Sequence, residues 1–233
     1  VFTILASVVL PIAAAIWLAL KKKGYLKPIL LGVLCFGFFQ VLTRIPVMTL
    51  VLPKMAWYNM LSATQPFLLA LFAGGTAALF EEGGRWIVMR LWMKNRHRLN
   101  DGIAFGIGHG GLEAVLLVGI NSVALLILNQ YSTVTPLQIF AGGFERLCTL
   151  VVHVAFSVMV LKSVALKKPL WLLLAFVLHT VIDMAAVLMQ TAGFSAVAME
   201  AVVLAFSLLL LGYILFEYKK FKGGEFQCQK AKN

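Results

Sequence analysis

The sequence predicts an all-α polytopic membrane protein: a bundle of seven transmembrane helices, N-terminus outside and C-terminus cytoplasmic. Three observations predict it. Of the 233 residues, 61% are hydrophobic and only 12% charged, about half the charge of an ordinary soluble domain. Seven apolar runs are each long enough to cross a hydrocarbon core, which needs roughly 20 residues. Basic residues fall on alternate loops, as the positive-inside rule requires.

Taken in order, the first span covers 1–20. It lacks a basic stretch before its apolar run, so it reads as a span rather than a cleavable signal. Lys21, Lys22, Lys23 and Lys27 follow it. Spans two (28–50) and three (63–90) flank a loop whose basic residue is Lys54, and Arg90, Lys94, Arg96 and Arg98 close the third. Spans four (100–128) and five (138–161) lead to Lys162, Lys167 and Lys168. Spans six (170–190) and seven (196–217) end on Lys219, Lys220, Lys222, Lys230 and Lys232, and GGEFQCQKAKN reads as a short flexible cytoplasmic tail. Sixteen basic residues thus lie on one side against Lys54 on the other, with Arg44, Arg85 and Arg146 inside spans. The expected organisation is peripheral helices over 1–60, a four-helix core over 61–190, a last helix over 191–220 and a tail over 221–233.

This distribution disposes of nucleic acid as the partner implied by the net charge of +11: the charge is topological and sits beside anionic lipid. Cys35, Cys148 and Cys228 show no CxxC spacing, so neither a disulfide framework nor a thiolate metal site is signalled. No internal repeat of the inverted-transporter kind is evident.

The ionisable residues inside the spans carry the functional signal, because burying charge in hydrocarbon costs several kcal/mol (about 2.5–3.5 on insertion scales). Span three holds Glu81, Glu82 and Arg85; span four His109 and Glu113; span five Glu145, Arg146 and His153; span six His179 and Asp183. At 1.5 Å per residue from the basic residue ending each span, Glu82 lies about 12 Å deep, His153 about 14 Å, and His109 and His179 about 16 Å. Four helices therefore bring polar groups to one level. The pairs Glu81/Arg85, Phe105/His109, His109/Glu113 and His179/Asp183 are spaced i,i+4 and share a helix face. Glu113 and Asp183, one turn deeper, are placed to orient an imidazole. Gly83, Gly84, Gly106, Gly110 and Gly111 leave room for close helix approach. Glu145 and Arg146 lie farther out and are expected to make structural ion pairs with neighbours or with Arg44; His97, in a basic loop, has no expected role.

Two chemistries fit. One is hydrolysis within the bilayer, with Glu81 or Glu82 as general base on water and a histidine, or a zinc ion held by His109, His153 and His179, stabilising the oxyanion. No HExxH is present, so such ligands come from three helices. The other is a proton or ion pathway, against which the outer ends of spans four and six show little polar lining.

EEGGR at 81–85, FGIGH at 105–109 and HTVID at 179–183 resemble, in order, the EExxxR, FxxxH and HxxxN/D motifs of the CAAX-protease and bacteriocin-processing (CPBP) clan of intramembrane proteases. Within it the chain is most similar to the YhfC-type branch. The resemblance covers roughly residues 75–190. It implies an intramembrane endopeptidase in which Glu81 activates water beside Glu82, with Arg85, His109, His179 and Asp183 completing the site, Glu113 and His153 supporting it, and a divalent metal such as zinc as a candidate cofactor. Two departures stand out. The basic residue comes one position early, as in PrsW-type relatives, and Asp183 replaces the amide. The expected partners are a membrane-associated peptide or protein and the lipid bilayer, in a multi-pass protein of the cell membrane. The alternatives are a non-catalytic scaffold, which the clan also contains, and a transporter.

Overall fold

The computed structural model describes residues 1–21, 24–130 and 133–226. Lys22, Lys23 and the tail beyond 226, with Cys228, lie outside the described residues. The architecture is all helical, without a β-strand among the described residues. Long helices run α1 Phe2–Lys21, α2 Leu26–Lys54, α4 Pro66–Trp92, α5 Leu99–Ile127, α6 Pro136–Leu166, α7 Leu170–Thr191 and α8 Ala196–Phe221, with a short α3, Ala56–Thr64. Six of these are long and apolar enough to span a membrane by themselves. The seventh, α4, carries the charged cluster Glu81, Glu82 and Arg85.

Local chemistry sets the boundaries. Pro53 and the extended Met55 end α2, and Gln65, held off helical geometry before Pro66, as residues preceding proline are, separates α3 from α4 at a 119° bend. The sequence reading missed α3, whose nine residues are too few to register as a span. Thr135 caps α6 reciprocally with Gln138, ahead of Pro136, a capping box with proline at the first helical position. Lys167 and Lys222 close α6 and α8 in left-handed conformation (φ 56° and 48°).

Helix α6 outruns its expected span by more than a turn. Lys162 is therefore not a loop residue. It is buried in α6, bonded to Glu217 of α8 at 2.5 Å and lying 3.5 Å over the Trp171 ring, because a buried ammonium needs a counter-charge. The start of the tail differs as well: Gly224 accepts from the Leu99 amide at 2.9 Å, the Phe226 amide donates to the His97 carbonyl at 3.0 Å, and Phe226 is buried. This short pairing ties 224–226 to the α4–α5 loop.

Helix α4 packs chiefly on α7, α2 on α5, and α6 on both α5 and α8. In lipid these contacts rest on close van der Waals packing, so small residues matter. A Cβ on Gly108 would sit 2.1 Å from the Ile29 carbonyl, and one on Gly32 2.1 Å from the Phe105 carbonyl; α2 and α5 touch backbone to backbone. Gly83, by contrast, faces open space. The apolar core, with Val88, Met89, Phe105, Phe156, Met159 and Leu161, fills the bundle on the basic-loop side of the polar residues.

Candidate active site

Four helices deliver the site, and a fifth, α2, adds groups that the sequence reading did not use. Glu81, Glu82 and Arg85 of α4, His109 of α5, His153 of α6 and His179 of α7 are all buried. Their side chains are joined by hydrogen bonds. Glu81 Oε2 accepts from Arg85 Nη2 at 3.0 Å and pairs with His109 Nε2 at 3.0 Å, while Glu81 Oε1 accepts from Gln40 of α2 at 2.7 Å. Arg85 also binds Glu82 through Nη1, and His179 Nδ1 pairs with Glu82 Oε1 at 2.7 Å. Phe36 and Phe105 pack on the His109 ring and Phe156 stacks on His179.

These contacts fix protonation and orientation. Arginine donates only, so Arg85 Nη2, 2.7 Å from His153 Nδ1, makes that nitrogen an acceptor. The His153 proton therefore sits on Nε2 and points to Glu113 Oε2, 2.7 Å away. Glu113 thus orients His153 across the helix interface, not His109 on its own helix, and Gly110 makes this possible: a Cβ there would meet His153 Cβ and Cδ2 at 2.9 Å. Arg146 binds Glu113 at 2.8 Å and also Glu145, which links the outer pair to the site through His153. Asp183 lies 3.6 Å from His179 Nε2. Arg44 does not reach Glu145; it bonds Gln40, Thr76 and the Ala73 carbonyl. Gln40 was invisible beforehand because an amide in an apolar run carries little signal; its place on the helix face of Phe36 and Arg44 was the available clue.

A cavity of about 460 Å³ opens beside this network. Glu81, His153, His179 and Asp183 are on its wall together with Gln40 and Glu113. Glu82, Arg85 and His109 stand behind the wall. The cavity runs from Glu81 towards Glu145, Arg146 and Ala186, away from the basic loops. Four carboxylates (Glu81, Glu113, Glu145, Asp183) and two guanidiniums (Arg44, Arg146) line it, an excess of two carboxylates.

Among the described residues, two groups of donors lie close enough to hold a cation: Glu81, His109 and His153, and Glu81, Glu82 and His179, each within 4.8 Å. The three histidines are grouped with carboxylates rather than with one another. In the first group both His153 nitrogens are already used, by Arg85 and Glu113, and His109 Nδ1 is buried without a partner behind the cavity wall. In the second, Glu82 Oε2 is buried without a partner. That open acceptor and the excess of carboxylates fit a divalent ion.

Such a centre, assembled from buried glutamates and histidines inside a multi-pass helical bundle, defines the class: a polytopic membrane protein with a polar intramembrane site compatible with a metal. Residues 6–133 and 122–204 match the family described as YhfC intramembrane metalloprotease, and the chain belongs to that family. It is 29% identical over 239 residues to the uncharacterized membrane protein YhfC of Bacillus subtilis (strain 168), covering 91% of this chain and 92% of that protein. No solved structure matches it.

Proposed function

We propose that this chain is an intramembrane peptidase that hydrolyses a membrane-associated peptide or protein, with Glu81 as the base. The observation that carries the reading is the state of the Glu81 carboxylate on the cavity wall. A carboxylate offers about four acceptor sites. Arg85 and His109 take both on Oε2 and Gln40 one on Oε1, so a single site remains, on Oε1, for a water in the cavity. The base is thus held rigidly from three directions, which is what positioned proton transfer needs.

Glu81 takes a proton from the water as its oxygen bonds to the peptide carbonyl carbon. The C–N bond then breaks, and the proton passes from Glu81 to the departing nitrogen. Without a metal, His179, on the same wall, would donate to the developing oxyanion from Nε2 as an imidazolium, its Nδ1–H held by Glu82. In a metal-loaded form Glu82 and His179 would instead hold the metal that the family description implies, with Glu81 left to the water; bound there, it would polarise the carbonyl and acidify the water. Substrate enters from the side bearing Asp183 and Glu145, since the apolar core fills the other. That filling also argues against a transport path.

Comparison of membrane proteomes from cells with wild-type protein and with Glu81→Gln tests this reading. An uncleaved precursor should accumulate in the variant at equal protein level; identical peptide profiles would refute it.

A further inference from the structure

Two further cavities adjoin each other outside the polar site. At the basic-loop end, a space of about 740 Å³ is lined by Lys27, Lys94, Arg96 and Arg98 with Asp101 and Glu225. Four cations face two carboxylates. Arg96 is engaged by the Gly24 carbonyl at 2.5 Å and by Asp101 at 3.6 Å, while Lys27, Lys94 and Arg98 have no ion pair among the described residues. Below it, an almost wholly apolar groove of about 860 Å³ runs along α2 past Leu31, Leu34, Phe38 and Leu42, against Ile87 of α4 and Leu112 of α5. Trp92 lines both spaces.

We propose that the two together bind an anionic diacyl phospholipid, its phosphate on Lys27, Lys94 and Arg98 and an acyl chain along α2. The dimensions and chemistry agree. Leu31 to Leu42 spans eleven residues, about 16 Å of helix, close to one leaflet of a hydrocarbon core roughly 30 Å thick. Surplus positive charge at the helix ends complements an anionic headgroup, and a tryptophan at the junction is where headgroup and chain regions meet. The binding does not depend on the peptidase reading, but it bears on the same helix. Phe36, Gln40 and Arg44, on the opposite face of α2, line the polar cavity, so a chain in the groove packs against the helix that hydrogen-bonds Glu81.

Native mass spectrometry of the delipidated full chain in micelles tests the site, with phosphatidylglycerol, phosphatidylcholine and inorganic phosphate as probes. Phosphatidylglycerol should be retained as a one-to-one adduct, at least tenfold over phosphatidylcholine, with no competition from inorganic phosphate. Lys27→Gln with Lys94→Gln, both exposed, should cut retention at least tenfold, while Lys219→Gln with Lys220→Gln should not. Gly37→Phe puts a ring on the groove wall at a position whose Cβ meets only Leu112 Cδ2 at 3.8 Å, and should abolish the adduct. Equal retention of the two lipids, displacement by inorganic phosphate, or a phosphatidylglycerol adduct untouched by both site variants would overturn the proposal.

Discussion

Replacing Arg85 by methionine tests the central packing of charge. Arg85 is fully buried and serves Glu81 at 3.0 Å, Glu82 and the His153 ring at 2.7 Å. Removing one partner of a buried ion pair costs about 3–5 kcal/mol, since the other charge is left uncompensated. Here two carboxylates lose their cation at once, so the upper end, about 5 kcal/mol, is expected. For a chain of this size that corresponds to a fall in Tm of about 10–20 °C. The assay is the folded fraction surviving a heat step in detergent micelles, read by size exclusion. The double variant Glu82→Gln with Arg85→Met should recover at least half of the loss, because Glu81 keeps Gln40 and His109 while Glu82 becomes neutral; contacting groups in one network couple in this way. An Arg85→Met protein melting within about 2 °C of wild type, or a double variant no better than the single, would refute the assignment of Arg85 as the cation of the glutamate pair.

Three other expectations concern metal and packing. Elemental analysis of purified protein should find a roughly stoichiometric divalent metal that Glu82→Gln or His179→Ala removes and His153→Ala keeps; loss in the His153 variant alone would move the ion to the other donor group. Gly108→Ala should destabilise by about 1–3 kcal/mol or more, as overpacking does, because its methyl strikes the Ile29 carbonyl, whereas Gly83→Ala should stabilise by up to about 1 kcal/mol; thermal melts in detergent decide both. Lys162→Met should cost about 3–5 kcal/mol by leaving Glu217 buried and unpaired, and the added change Glu217→Leu should restore most of it in the same melts.

Much of this was legible in the sequence. Hydropathy and the alternation of lysine and arginine placed the long helices to within a few residues, because the bilayer imposes a length that chain chemistry must meet. The level of Glu81, His109, His153 and His179 followed from helical rise alone. What could not be read was rotation. Helical spacing puts His109 and Glu113 on one face, yet Glu113 turns to His153 on a neighbouring helix, a choice made by the Gly110 gap and the Arg146 guanidinium. Gln40, and the true partners of Arg44, escaped for the same reason: which face of α2 meets α4 depends on packing, not on composition. Lys162 was misplaced because a lysine near a helix end reads as interfacial unless its partner, here 55 residues away, is known.

The sharp turn between α3 and α4 has a mechanical result. Trp57 and Tyr58 of α3 pack against Phe72 of α4, with ring centroids 5.9 and 6.1 Å apart, so the two segments form a bracket with one arm folded back. Sliding α4 lengthwise would drag both rings along, and it is this sliding that would lift Glu81 out of register with His109. The bracket therefore couples the position of α3 to that of α4, and with it to the glutamates farther along the same helix.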